Sequence, residues 1–476
     1  MRVYSLVRSH ISLAPLEVEL TLVPGLPQIQ ILGLPDAAIR ESAARIKSAL
    51  RAQQFKFPKS QQVLVNLKPS HLKKTSRGLD LAIAAALLFE TRQVRVPEKL
   101  ETYFFYGELS LVGEIGAPDD MGDFVAEKEA ATMVTGRGSS MEMPTIEISS
   151  LRDLQRPLPA PQTHLKSRPR RPPLAPLHFS TQAARLMMVV AAGEHSALLA
   201  GPPGSGKSTW AQHLHEVLAE PEWHQFRLSR QIARYFHTEL TWRPTVAPHH
   251  STTALAMIGG GVPISPGQIT RAHGGVLILD ELSEFSRVVH EALREPLETG
   301  RISVVRSGGS CDFPADILLV GTTNLCSCGK FIPKPSSDCL CPQRRREEYV
   351  RRLSGPLLDR FQLLVWTDDW GLSTLNQGGV TLAEIGERAQ RARAFAQASR
   401  GQMSCNGKLG NEFMQTLEPF VLNHLLPQGA VSRRRLLACA RVARTLADLE
   451  MSSQMKPKHW QRALEWTVQT FAALQS

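Results

Sequence analysis

Hydrophobic and polar positions near the start of the chain alternate with the period of a β-strand. The clearest runs are Val18-Glu19-Leu20-Thr21-Leu22, Ile29-Gln30-Ile31-Leu32-Gly33 and Val63-Leu64-Val65-Asn66-Leu67. Between them the period lengthens: Ile39, Ala43, Ile46 and Leu50 recur at helical spacing behind Pro35 and Asp36, which predicts a helix over 36–55. The stretch from Leu79 to Glu90 is apolar for too long to be a strand and predicts a buried helix. Together these predict an α+β domain over residues 1–155. From 156 to 177 the periodicity stops. Pro157, Pro159, Pro161, Pro169, Pro172, Pro173 and Pro176, interleaved with Lys166, Arg168, Arg170 and Arg171, cannot build a core and predict an extended interdomain linker.

Past the linker the pattern changes again. A helix is predicted over 180–193, followed by the short apolar run Ala197-Leu198-Leu199-Ala200 ending at Gly201. Two more buried-strand runs, 275–279 and 317–321, are separated by helical segments, so residues 178–380 are expected to form an α/β core on a mostly parallel sheet. From 381 to 476 the pattern is purely helical, with helices expected over 383–399, 411–425 (kinked at Pro419), 431–451 and 458–474. A chain of 476 residues that is 42% hydrophobic and 21% charged has room for about three domains and excludes wholesale disorder. The longest apolar run, 81–89, is half a bilayer span, and no basic-then-apolar stretch opens the chain, so a cytoplasmic location is expected.

The chemistry begins where the second domain's first strand ends. Gly201-Pro202-Pro203-Gly204-Ser205-Gly206-Lys207-Ser208, with Thr209 next, fits G-x-x-x-x-G-K-S/T between a predicted strand and a predicted helix. Glycines there let backbone N–H groups curl around phosphate oxygens, Lys207 neutralises their charge, and Ser208 offers a hydroxyl to Mg²⁺. Further along, Val276-Leu277-Ile278-Leu279 ends in Asp280-Glu281: Asp280 is placed to hold Mg²⁺ and Glu281 to activate a water. Gly321-Thr322-Thr323-Asn324 closes a third buried strand with an amide suited to the γ-phosphate or that water.

These residues, in this order and followed by Ser354-Gly355-Pro356-Leu357-Leu358-Asp359-Arg360-Phe361, resemble the ComM/YifB family of magnesium-chelatase-like AAA+ ATPases. Ala247-Pro248-His249-His250, Ala272-His273-Gly274-Gly275 and Pro296-Leu297-Glu298 resemble the same family. So do Gly25-Leu26-Pro27, Gly33-Leu34-Pro35-Asp36 and Gly107-Glu108-Leu109-Ser110-Leu111 near the start, so the likeness covers nearly the whole chain. Gln268, where the family has Glu, is a peripheral departure. The resemblance implies an N-terminal ribosomal-S5/Lon-like domain, a P-loop AAA+ core, a helical lid, ATP and Mg²⁺ as cofactors, and a homo-oligomeric ring, a hexamer. In that ring Arg360 would complete the neighbouring subunit's site, and Arg434 would be the second sensor, with Arg433 and Arg435 leaving the register open. It further implies DNA, single-stranded and branched, as partner, with branch migration or helicase action during recombination of incoming DNA in natural transformation. A rival reading from the same resemblance is a chelatase-type ATPase subunit that remodels a protein partner. The excess of 55 Lys and Arg over 44 Asp and Glu, a net charge of +11, has the sign expected for a nucleic-acid partner. A hairpin over 301–314, carrying Arg301 and Arg306, is where related ATPases reach into the ring pore. Peptidase chemistry is not expected, because Ser76-Arg77-Gly78-Leu79-Asp80 stands where a Lon-type nucleophile turn would be, despite Lys73 and Lys74 nearby.

Seven cysteines are too few for a disulfide scaffold, yet Cys326, Cys328, Cys339 and Cys341 fall on one loop, 326–341. Two C-x-C pairs supply enough soft ligands for one tetrahedral Zn²⁺, while reduced thiols and a redox pair also satisfy the spacing.

Overall fold

The computed structural model describes residues 1–476 apart from 10–11, 33–36, 69–77, 119–130, 139–142, 163–167, 262–263, 307–308, 332–337, 354, 369, 371–378, 416–431 and 471–476. Ser76, Lys73, Lys74, Ser354 and the Pro419 kink therefore lie outside the described residues. The chain packs as two units, Met1–Arg168 with Arg230–Thr238, and Pro169–Ser229 with Glu239–Ser476.

In the first unit, β1 (Arg2–Ser9), β2 (Ser12–Pro24), β3 (Ile29–Leu32), β4 (Gln61–Lys68), β5 (Tyr103–Phe105), β6 (Thr132–Thr135) and β7 (Thr145–Glu147) form a mixed sheet in the order β3-β4-β2-β1-β5-β6-β7. Alternation sets its faces: Val63, Val65 and Leu67 are fully buried, while on the other face Glu19 pairs with Lys68. Helix α1 (Ala37–Ala52) and helix α2 (Leu79–Glu90) pack with the sheet, and every residue from Leu79 to Phe89 is buried. The buried set includes Asp80, whose carboxylate accepts from Arg45 Nε at 2.8 Å and Nη2 at 3.2 Å. A carboxylate survives inside an apolar helix only with such a partner.

The second unit holds a five-stranded, wholly parallel sheet built from β8 (Ala197–Ala200), β9 (Thr245–Val246), β10 (Val276–Leu279), β11 (Leu318–Thr323) and β12 (Leu363–Trp366). Their spatial order is β9-β10-β11-β8-β12. Strands β8, β10 and β11 are buried on both faces, as their unbroken apolar runs require. Helix α3 (Thr181–Gly193) starts on Ser180, whose hydroxyl accepts from Ala183 N–H at 3.3 Å. The C-terminal region is helical as expected, with α4 (Leu382–Arg400) behind a Thr381/Glu384 capping box and α5 (Arg433–Leu449) capped by Ser432. Within the helix expected over 458–474, of which 471–474 lie outside the described residues, α6 (Pro457–Leu464) widens into a π turn over Glu465–Gln469. There the Thr467 hydroxyl donates to the Ala463 carbonyl at 2.6 Å, which engages the acceptor four residues back.

Residues 169–177 are docked on this unit instead of crossing solvent. The Ala175 N–H donates to Glu216 at 2.8 Å, Arg171 donates to the Leu218 carbonyl, and Leu174 and Leu177 pack on the core. The expected hairpin is present, with Arg301–Arg306 antiparallel to Gly309–Pro314.

Candidate nucleotide site and interface arginines

Strand β8 ends at Ala200 and the chain turns at Gly201, whose N–H donates to the Thr323 carbonyl at 3.2 Å. A β-carbon on Gly201 would stand 2.3 Å from Thr367 Oγ1, so the residue just past β12 enforces a glycine there. Gly204 and Gly206 have φ of 78° and 88°, the left-handed region that glycine enters without a steric penalty. A β-carbon at either would meet nothing within 4 Å, so the loop arches over open space of the kind an anion fills. The Ser205 hydroxyl bonds the Thr367 hydroxyl at 2.8 Å and pins the loop from behind.

Lys207 opens the next helix, Lys207–Val217, and is nearly buried, with Nζ donating to the carbonyls of Gly201 at 2.9 Å and Pro202 at 2.7 Å. Burial pulls its pKa down, and Asp280 and Glu281 act against that fall. Ser208 Oγ donates to both oxygens of Asp280, at 3.0 and 3.1 Å, and the Thr322 hydroxyl donates to the same carboxylate. Glu281 has φ of 55°, and its N–H donates to Thr322 Oγ1 at 3.1 Å, which turns the side chain out to solvent. His250 Nδ1 lies 4.0 Å from Glu281 Oε2, and its ring stacks on that of His249.

Strand β11 lies between the strand of the phosphate loop and the strand ending in Asp280, and Ala200 pairs with Thr323 in register. Asn324 therefore emerges beside Gly201, at the same C-terminal sheet edge as Lys207, Asp280 and Glu281. Thr322 and Thr367, which brace this edge, carry no motif. Their signal is a hydroxyl at the end of a buried strand, and in the case of Thr367 the strand Leu363–Trp366 is itself an apolar run of four.

Arg360 is at the other edge. It precedes β12, and its carbonyl accepts from Ser196 Oγ, the residue before β8, at 2.9 Å. The four residues of β8 at about 3.3 Å each separate it from the phosphate loop by roughly 13 Å along the strand. Its guanidinium donates to the Pro356 carbonyl and pairs with Glu298, on the short helix Arg294–Thr299. Arg434 Nη2 donates to that same Glu298 oxygen at 2.6 Å. Arg435 is buried instead, bonded to the carbonyls of Phe361 and Leu358 and 3.5 Å from Asp359. The four sulfurs of Cys326, Cys328, Cys339 and Cys341 lie within 4.8 Å of one another.

Three family models match consecutive stretches: subunit ChlI of Mg-chelatase over residues 18–133, magnesium chelatase subunit ChlI over 174–374, and its C-terminal part over 379–467. The chain is 30% identical over 482 residues to the protein YifB of Escherichia coli K12, covering 95% of this chain and 94% of that one. The chain belongs to the magnesium-chelatase-like AAA+ family. Competence protein ComM of Haemophilus influenzae is 29% identical over 97% of this chain and 96% of its own length. A Mycobacterium tuberculosis H37Rv protein is 32% identical over 91% and 92%. The resemblance carried by the motifs is thus borne out over most of the chain, and this AAA+ protein is an ATP-hydrolysing enzyme with a motor's core.

Proposed function

We propose that the protein is a ring-forming motor, a hexamer in the cytoplasm, that couples ATP hydrolysis to movement along DNA and migrates branches during recombination of incoming DNA. The observation that carries the ring is the placement of Arg360 and Arg434 on one carboxylate at the sheet edge opposite the phosphate loop. Arg360 stands roughly 13 Å along the strand from its own subunit's phosphate loop, so on release from Glu298 it is placed to complete a neighbour's site, with Arg434 beside it.

ATP with Mg²⁺ brings the scissile bond and a charge-neutralised polyphosphate. Residues 201–209 cradle the phosphates, Lys207 counters their charge, Ser208 and Asp280 hold the ion, Glu281 orients and activates the water, and Asn324 contacts the γ-phosphate or that water. Residues 1–155 are taken as a ribosomal-S5/Lon-like domain without peptidase function, 156–177 as the linker, with its part 169–177 docked on the second unit, 178–380 as the ATPase core and 381–476 as the lid.

Support for DNA comes from the charge of +11, from a hairpin that presents Arg301, and from similarity to a protein named for competence. A chelatase-type subunit acting on a protein partner is favoured by the magnesium-chelatase description of all three family models. ATP turnover measured with and without single-stranded and branched DNA separates the two. The motor reading expects stimulation that fades with salt, because Lys and Arg contacts release counterions with a log-log slope near about −0.9 per duplex phosphate neutralised. Assembled, nucleotide-competent protein without DNA affinity at low salt would overturn it.

A further inference from the structure

We propose that Cys326, Cys328, Cys339 and Cys341 bind one zinc ion, and that the bound ion clamps Gly329 against Pro203 and so sets the phosphate loop for nucleotide. The first half rests on the sulfurs. Cys326 Sγ lies 3.1 Å from Cys328 Sγ and 3.6 Å from Cys339 Sγ, with Cys328 and Cys339 also 3.6 Å apart. Four thiolates around one zinc at about 2.3 Å stand about 3.8 Å from each other, a spacing inside the 3.1 to 4.8 Å spread of these four sulfurs, so small side-chain adjustments bring the set onto the ion. Cysteines so close together leave no room for the sulfides of an iron–sulfur cluster between them.

One outer contact to the cluster is in place. The Phe331 N–H donates to Cys326 Sγ at 3.3 Å, the kind of outer bond that orients and stabilises a metal-bound sulfur. On binding, the four thiols release their protons to solvent and the site carries two net negative charges. Lys330 and Arg344, Arg345 and Arg346 flank it in sequence, and the Arg346 guanidinium lies 4.4 Å over the Phe331 ring.

The second half rests on where the loop leads. Cys326 is buried two residues past Asn324, directly after the fully buried Leu325. The chain then turns at Gly329, whose N–H donates to the Cys326 carbonyl at 3.0 Å with φ of 78°. A β-carbon on Gly329 would stand 2.7 Å from Pro203 Cδ and 3.1 Å from its Cγ. Cys326 and Cys328 before Gly329, and Cys339 and Cys341 after it, thus bracket a glycine that packs closely on Pro203 of the phosphate loop. Without the ion, that turn is held by local bonds such as those from the Gly329 and Phe331 N–H groups to Cys326. With it, two more ligands thirteen and fifteen residues from Cys326 close the loop.

The clamp rests on the nucleotide reading of residues 201–209, whereas the metal site does not. Full-length protein produced with ample zinc and purified without chelators is expected to contain one zinc and no iron per chain, with a four-sulfur X-ray absorption signature. Removing the ion with a thiol-reactive mercurial followed by reductant should weaken ATP binding roughly tenfold by calorimetry, and restored zinc should recover it. Gly329→Ala, which keeps all four ligands, should retain zinc yet lose a similar factor. Cys339→Ser/Cys341→Ser should lose zinc, and adding Gly329→Ala to it should cost little more, since both act through one contact. Circular dichroism of each variant separates the effect from unfolding. Zinc-free or iron-containing protein would overturn the site, and equal ATP affinity with and without zinc would overturn the clamp. Zinc-loaded wild type that binds no ATP would overturn the clamp and the nucleotide reading together while the metal site stands.

Discussion

Glu298 accepts from both Arg360 and Arg434; it is 44% exposed but the Arg360 side chain only 8%, so that pair is half-buried, and a substitution that keeps an accepting oxygen costs little in folding. Hydrogen bonding from Arg434 and the charges of Arg360, Arg434 and Arg294 hold its carboxyl below the ordinary range. Glu298→Gln should change unfolding free energy by no more than about 1 kcal/mol. In assembled protein it should lower kcat for ATP between about 10- and 100-fold with little change in KM, because two unrestrained guanidinium groups lose their aim. Steady-state kinetics with a denaturation curve checks both halves. At the nucleotide site, Lys207→Ala should abolish measurable ATP binding, since its Nζ is the buried cation on the loop. Glu281→Gln should bind ATP normally and turn it over on the order of 100- to 10,000-fold more slowly. A wild-type rate for Glu281→Gln, measured by phosphate release, would remove it from the role of base. Lys207 was legible from the spacing of its glycine motif, and Asp280, Glu281 and Asn324 because each is a chemical type at the end of an apolar run. The roles of Thr367 and Glu298 were not, since Thr367 has only the weak signal of a hydroxyl after an apolar run, and both residues acquire their partners from strands and helices far away in the chain.

Among the elements, α2 shows both the reach and the limit of periodicity. An unbroken apolar run of this length can be buried only as a helix, and its bounds are those expected, Leu79 to Glu90. Nothing in the run says how Asp80 survives inside it. The answer is Arg45 on α1, 35 residues away. Asp80→Ala should therefore destabilise the protein by about 3 kcal/mol, because it strands a half-buried guanidinium. Asp80→Asn should recover part of that loss in a urea titration, as the amide oxygen still accepts from Arg45. Strand β1 lacks clear alternation, with Val3, Ser5, Leu6 and Val7 all fully buried, and it becomes a strand by pairing along Arg2 to Ser9 with β2. The π turn after α6 likewise depends on a side-chain hydroxyl competing for a backbone acceptor, which hydrophobic spacing does not register.

For the molecule as a whole, buried polar groups set the response to acid. His195 bonds Gln362 at 2.6 Å and Thr445 at 2.7 Å, tying the sheet to α5, and burial pushes its pKa down to about 4. Burial does the same to His273, also to about 4. Both are neutral in the fold, whereas the unfolded chain takes up protons below about 6.5, so stability is complete above that pH and falls toward pH 4 by up to roughly 3 kcal/mol per histidine. Glu194 acts in the same direction. Burial alone would raise its pKa, but Arg243, Lys408 and Arg393 hold it far below the usual carboxylate range, so its contribution is complete above about 4.5 and falls away progressively at lower pH. Urea midpoints at pH 7, 5.5 and 4.5 should fall in that order, with the slope between 7 and 5.5 flattened in His195→Gln. The sequence by itself determined the parallel α/β core, the helical C-terminal region, the family and the order of the glycine-lysine motif, Asp280-Glu281 and Asn324 along the chain, because these are written in local period and spacing. Only the tertiary structure decided that β11 lies between the phosphate-loop strand and the Asp280 strand, that Arg360 and Arg434 meet on Glu298 at the far edge, and that the cysteine loop rests on Pro203. Strand order and long-range contacts depend on which buried surfaces fit together in space, and neighbouring residues in a chain carry no record of that fit.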